Sequence, residues 1–176
     1  CQETVPVVYK QKYYDKYPDH QPQEAYSVAA YDVETFIMPD NSTGPVCMAS
    51  TTFETKVYWS GLRSIFKGEP DEVILKTLKE YEEKYLKEYI EKHNVKICYV
   101  LEDTPGMVVY NNIQFWHREG PDFIVSWNAG FDMKANQDAL LNENFDLKEV
   151  YSDPSIPGVY KDYFFFPGRE FKRKVD

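Results

Sequence analysis

Two carboxylates stand one residue apart, Asp32 and Glu34 in Tyr31-Asp-Val-Glu-Thr-Phe36, inside an otherwise strand-like run of small, aromatic and β-branched residues, AYSVAAYDVETFIM. On a strand, residues two apart share a face, so Asp32 and Glu34 converge while Tyr31, Val33 and Thr35 point the other way. Charges rarely enter a core without a partner. Either this face meets solvent, or something cationic sits on it. Hard divalent ions such as Mg²⁺ take a few carboxylate oxygens and keep their remaining positions for water and phosphate, and an Asp-x-Glu strand suits that chemistry. Taken alone, the same pair also fits a plain exposed strand end.

A second group lies in Ser126-Trp-Asn-Ala-Gly-Phe-Asp132, where an apolar run gives way to a helical pattern. Ligands in α/β proteins usually bind beyond the ends of strands. Asp132 is therefore placed to supply a third carboxylate, and Asn128 and Phe131 to contact a substrate.

The elements that must hold these groups can be read from periodicity. Residues 1–24 are polar and tyrosine-rich and read as an extended lead-in or linker. A strand begins at Ala25, and Asn41 to Pro45 supply a turn. VCMASTTFE and KVYWS complete a three-stranded meander. EPDEVILKTLKEYEEKYLKEYIEKHN reads as one long amphipathic helix, with Ile74, Leu78, Tyr81, Tyr85 and Tyr89 at helical spacing, Asp71 and Glu72 in the first turn, and Asn94 as a left-handed end. VKICYVL comes next as a strand, its near-continuous apolar character placing it inside the sheet.

Thr104-Pro105 opens the next helix, Val109, Ile113 and Trp116 form one face, and Gly120-Pro121 stops it. DFIVSW is a fifth strand. A helix through NAGFDMKANQDALLNEN then turns Met133, Ala135, Ala139 and Leu140 inward. The order βββαβαβα implies an α/β fold, a mixed sheet flanked by helices. The remainder is loop-rich, with VYKDYFFFPG a candidate strand and hairpin.

The chain has 176 residues and a formal net charge of −9, with pI near 4.9. This size suits a single domain, read as residues 25–176. An acidic balance argues against coating nucleic acid through a broad basic surface, yet it allows a nuclease that grips a few phosphates through bound cations. Cys1, Cys47 and Cys98 form no C-x-x-C pair and point to a reducing compartment. Asn41-Ser-Thr satisfies the glycosylation pattern, but no secretory signal precedes it, and chance is the reading taken. No apolar run approaches the ~18 residues of a membrane span, so no membrane partner is expected. A first residue other than Met and a basic last stretch suggest a piece of a longer protein.

Asp-Val-Glu-Thr at 32–35, followed 132 − 32 = 100 residues later by Trp-Asn-Ala-Gly-Phe-Asp, resembles the first two motifs, D-x-E and N-x-x-F-D, of the DEDD 3′–5′ exonucleases. The resemblance covers about residues 25–142 and is closest to the proofreading domain of family B DNA polymerases. It implies a ribonuclease H-like fold, with which the order βββαβαβα agrees. It also implies two Mg²⁺ (or Mn²⁺) ions: Asp32 bridging both, Glu34 on the ion that activates water, and Asp132 on the second, directly or through water. Thr35 and Phe36 would line the terminal nucleotide, and Asn128 and Phe131 would position the strand. The implied partners are a single-stranded DNA 3′ end and the polymerase portion of the same protein, in the cytoplasm of a bacterium or phage-infected cell.

The family's third motif, Tyr-x-x-x-Asp, does not occur after Asp132. Truncation is the expected reason, and with one ligand missing the fragment itself should hydrolyse poorly. The rival readings are a freestanding DEDD nuclease on DNA or RNA ends and a non-catalytic α/β interaction domain.

Other conspicuous residues take plain readings. Tyr81, Tyr85 and Tyr89 are expected to face the core or lie half-buried, and Trp116 and Trp127 to pack. His20, His93 and His117 show no metal-ligand spacing and belong at the surface or helix ends. The acidic face of the long helix is solvated, with pairs such as Glu80–Lys84 and Glu83–Lys87. The basic GREFKRK is either a phosphate-backbone contact or a solvated tail.

Overall fold

A computed structural model describes residues 15–17 and 26–165. Strand β1 (Val28–Ile37) pairs antiparallel with β2 (Thr43–Phe53), and β2 antiparallel with β3 (Lys56–Leu62). Asn41 and Glu54 take left-handed backbone in the two connections, at φ 64° and 51°. β4 (Lys96–Glu102) joins β3 in parallel and β5 (Phe123–Val125) joins β1 in parallel, giving the sheet order β4-β3-β2-β1-β5. The helices are α1 (Asp71–Tyr85), α2 (Lys87–His93), α3 (Pro105–Glu119), α4 (Ala129–Asn142) and α5 (Leu147–Tyr151). The fold is α/β, consistent with a ribonuclease H-like exonuclease. The predicted order holds through α4, with its first helix divided in two.

That division falls at Leu86, whose backbone at φ −116°, ψ −4° leaves the helical track. Leu86 N–H still donates to the Glu82 carbonyl at 2.9 Å, and its own carbonyl accepts from Ile90 N–H at 2.8 Å, so the two helices abut without a loop. Ile74 is buried, but Tyr81, Tyr85 and Tyr89 are 59%, 62% and 61% exposed, against the expectation that they face the core. They continue the stripe of Ile74 and Leu78, yet the body beneath ends first. The rings turn to each other instead, Tyr81 stacking on Tyr85 with centroids 5.6 Å apart. Of the expected ion pairs Glu83–Lys87 forms, whereas Glu80 pairs with Lys76 at 3.8 Å and Lys84 lies over the Tyr85 ring.

β4 is an edge strand, not an interior one. Its apolar run reflects cover on both faces: Tyr99 lies under Lys79 of α1, and Val100 packs with Phe115 of α3. Such cover says nothing about neighbours in the plane of the sheet. β5 has three residues rather than six, leaving Ser126 and Trp127 beyond it. Val159 and Tyr160 belong to a single 3₁₀ turn, and 161–165 form no strand. The rest of the expected hairpin, the basic GREFKRK, His20 and all of the lead-in except 15–17 lie outside the described residues. His117 Nε2 lies 2.8 Å from the Val150 carbonyl, and His93 ends α2. Among the described residues no helix is long and apolar enough to cross a membrane.

α3 begins as its sequence predicts. Thr104 caps it by accepting from Met107 N–H at 3.4 Å, Pro105 opens the first turn, and Gly120 closes it at φ 66°. The helix lies on one face of the sheet, burying Val108, Val109, Ile113 and Phe115 against Tyr31, Val33, Ala49 and Tyr58, with Ala139 and Leu140 of α4 alongside. Each fully buried aliphatic side chain there contributes on the order of 2 kcal/mol. A polar cluster sits within this seam. Thr51 Oγ1–H donates to Asn112 Oδ1 at 2.8 Å and accepts from Trp116 Nε1–H at 2.8 Å, and Ser60 Oγ–H donates to the Val108 carbonyl at 2.8 Å. Asn112 Nδ2 donates to Val108 O at 3.2 Å as well as to Ser60, so each member has a partner. On the opposite face Val28, Ala30, Asp32, Glu34 and Thr52 are all exposed. Asp32 and Glu34 are thus tolerated on a strand built for burial because only its other face is covered.

Candidate active site

Strand alternation positions the first two carboxylates. Tyr31 and Val33 face the helices, buried, and Asp32 and Glu34 share the open face opposite Ser50 and Met48 of β2. The ladder changes register directly after Glu34, where Thr35 pairs with Val46 and leaves Cys47 as an extra residue. Such bulges bend a strand and re-aim the residues beyond them. Cys47 Sγ–H fills the irregularity by donating to the Glu34 carbonyl at 3.4 Å. Past the bulge Phe36 is exposed beside Gly44, where a Cβ would meet the Phe36 carbonyl oxygen at 2.9 Å, so a glycine is needed for this close approach.

Asp132 is held quite differently. It sits in the first turn of α4, its N–H donating to the Asn128 carbonyl at 3.0 Å, and it is only 2% exposed. Ser126 Oγ–H donates to its Oδ2. Burial pushes the Asp132 carboxyl up to about 6. The charge of Asp32 adds to that rise, the contact with Asn128 opposes it, and Glu34 adds a smaller push. The chain therefore folds three carboxylates, two exposed and one buried, near enough for their charges to be felt across 100 residues of sequence. Among the described residues no salt bridge reaches any of the three.

Among the described residues, no three His, Cys, Asp or Glu side chains are grouped tightly enough to enclose a metal ion. In kind, however, the donors fit a hard divalent cation. All are carboxylate oxygens, two have room beside them for water, and the third is the group whose ionised form most needs a positive neighbour.

The other predicted residues divide between two surfaces. Asp32 lines a shallow pocket with Ala30, Val125, Ser126 and Trp127. Trp127, expected to pack, is fully exposed there because β5 ends at Val125 and no layer covers its last residues. Asn128 is the exposed residue preceding α4, and its side chain makes no capping bond. Phe131 turns instead into a separate groove of about 710 Å³ between the β1–β2 turn and α4, with Met38, Gly44 and Lys134. Thr35 is half-buried at the bulge.

Residues not singled out in the sequence complete the surroundings. Tyr31 is buried, its ring edge-on to Trp116 with centroids 4.7 Å apart, and its hydroxyl donates to Asn136 Oδ1 at 2.8 Å. Burial pushes the Tyr31 hydroxyl well above its ordinary range, as it does Tyr151. Asn136 Nδ2 and the Tyr151 hydroxyl are both buried without a completed hydrogen bond, although Asn136 lies close enough to temper the rise at Tyr151. One signal for Asn136 exists in the sequence: it is a polar residue one helical turn after Asp132, among positions otherwise read as inward and apolar. Ser126 and Tyr151 carry no comparable mark.

Comparison with known families supplies an independent line. Among curated proteins none matches the chain significantly. Residues 5–135 match the family described as DNA polymerase family B, exonuclease domain, an interval that contains Asp32, Glu34, Asn128, Phe131 and Asp132. Since that interval takes in most of the 176 residues and both motifs, this chain belongs to the exonuclease domains of family B DNA polymerases.

Proposed function

We propose that this domain removes nucleotides from the 3′ end of single-stranded DNA by metal-assisted hydrolysis, as the proofreading part of a DNA polymerase. Asp32, Glu34 and Asp132 would be the carboxylates that hold the metal ions, Asp32 serving both, Glu34 the one that activates water and Asp132 the other. When bound, two Mg²⁺ or Mn²⁺ ions would lower the pKa of the attacking water and stabilise charge on the phosphate. Thr35 and Phe36, at the re-aimed end of β1, would contact the terminal nucleotide. Asn128 and Phe131 would guide the strand, and Trp127 offers a ring on which a base can stack. A net charge of −9 fits a site that holds few phosphates and relies on cations to do so.

The observation that carries this reading is Asp132, a buried carboxyl whose pKa is raised by burial and then by Asp32 and Glu34. The sequence holds no Tyr-x-x-x-Asp after Asp132, so metal binding is a more direct readout than turnover. At 100-fold excess over Kd, Mn²⁺ should stabilise the chain by about 2.7 kcal/mol, raising Tm by roughly 5–10 °C. Asp32→Ala should abolish the shift. Equal, negligible shifts in both proteins would instead favour a non-catalytic interaction domain. Hydrolysis of 3′-labelled single strands, compared with RNA and with duplex, tests the substrate.

A further inference from the structure

We propose that Tyr31 and Asn136 form a positioning clamp that sets how far Asp132 stands from Asp32 and Glu34. The proposal rests on reading those three carboxylates as cation ligands. Tyr31 immediately precedes Asp32 on β1, and Asn136 lies one turn after Asp132 on α4, on the same side of the helix. The 2.8 Å bond from the Tyr31 hydroxyl to Asn136 Oδ1 is, among the described residues, the one hydrogen bond between these two elements. It therefore joins the carriers of the two halves of the site next to the carboxylates themselves.

Apolar packing alone lets a helix slide or roll on a sheet by fractions of an ångström. A directional buried bond selects one register. Both partners are anchored from behind. The Tyr31 ring is braced edge-on against Trp116, whose indole N–H is tied to Thr51 at 2.8 Å. Asn136 is completely buried, between Asp132 and Leu140 on its helix. The pair is also poor as a purely cohesive device, because Asn136 Nδ2 faces the Tyr151 hydroxyl without completing a bond to it, a demand a leucine would not make. An amide kept in the core under that penalty is explained by what its oxygen holds.

Mn²⁺ affinity of the whole 176-residue chain, read from the paramagnetic resonance of free Mn²⁺ well below the melting temperature, tests the clamp. Tyr31→Phe keeps the ring against Trp116, and Asn136→Leu keeps side-chain volume. Each should weaken Mn²⁺ binding by about tenfold, since ångström-scale misplacement of ligating groups is costly. The double variant should be no weaker than either single within about twofold, the mark of one shared interaction. Ser60→Ala breaks a different buried bond on the same face of the sheet. It should lower Tm and leave the affinity unchanged.

Wild-type affinity in both single variants, additive losses in the double, or an equal loss in Ser60→Ala would overturn the clamp. The underlying reading fails separately. If wild type and Asp32→Ala bind Mn²⁺ alike, or neither binds it, the metal site falls and the clamp with it. If Asp32→Ala alone loses binding, only the clamp falls.

Discussion

Two buried polar clusters lie against the same face of the sheet, and they are finished to different standards. In the first, Thr51, Ser60, Asn112 and Trp116 satisfy one another between β2, β3 and α3. In the second, Tyr31, Asn136, Tyr151 and Asp132 lie along α4 with the Tyr31–Asn136 bond, an Asn136 Nδ2 and a Tyr151 hydroxyl that stand near each other without completing a bond, and a carboxyl displaced to about 6. A completed network rigidifies a core, whereas an incomplete one in the same core costs stability. The incomplete cluster is the one touching the site, and a tolerated local penalty is what a functional position shows.

The largest expected effect comes from breaking the finished cluster. Asn112→Ala leaves Thr51 and Ser60 short of partners and opens a cavity under α3. It should destabilise the fold by about 2–4 kcal/mol, with Tm falling by roughly 5–15 °C in a melt followed by circular dichroism.

The second effect has the opposite sign. Asp132 has its ordinary value of 3.8 when unfolded and about 6 when folded, so the folded state holds its proton more tightly and this group's contribution to stability falls as pH rises from about 4 to 6. Ionised, it costs the metal-free fold up to roughly 3 kcal/mol. Asp132→Asn should therefore stabilise the metal-free protein at pH 8 by on the order of 2 kcal/mol, change little at pH 3.5, and remove the Mn²⁺-dependent shift. Urea titrations at the two pH values, with and without Mn²⁺, check all three. Loss of stability at pH 8 would mean that Asp132 is a cohesive residue, and the contrast between the clusters would collapse.

A sharper and smaller test is Tyr151→Phe. Removing a buried hydroxyl that completes no hydrogen bond and has only Asn136 beside it should change stability by less than about 1 kcal/mol, whereas Thr51→Val in the finished cluster should cost about 1–2 kcal/mol. Least of all, Lys134→Ala removes the exposed Lys134–Asp138 pair on α4 and should change stability by less than about 0.5 kcal/mol. It serves as the baseline for substitutions on this helix.

Much of the frame was legible because it is written locally. Thr104-Pro105 and Gly120 bracket α3, Asn94 closes α2 at φ 52°, and alternation along β1 separates Tyr31 and Val33 from Asp32 and Glu34. The errors share one physical source: a period reports which side of an element is apolar, but not how far the neighbouring layer extends. Tyr81, Tyr85 and Tyr89 keep the period of Ile74 and Leu78 past the end of the body that covers it, and β4 is apolar because helices lie above and below it while one edge stays unpaired. At the site, Asp32, Glu34 and Asp132 were readable as residue types at known spacing. The bond from Tyr31 to Asn136 was not, since it joins positions 105 residues apart that no local pattern relates.

The bareness of Trp127 has an optical consequence. The chain holds three tryptophans, and Trp59 and Trp116 are half-buried while Trp127 stands wholly in solvent on the rim of the pocket that contains Asp32. Its red-shifted emission is the component that a water-soluble quencher should reach first. The molecule thus carries a native fluorophore at the mouth of its own candidate site, and a base stacking on that ring should shield it, turning occupancy into a change in light without any added label.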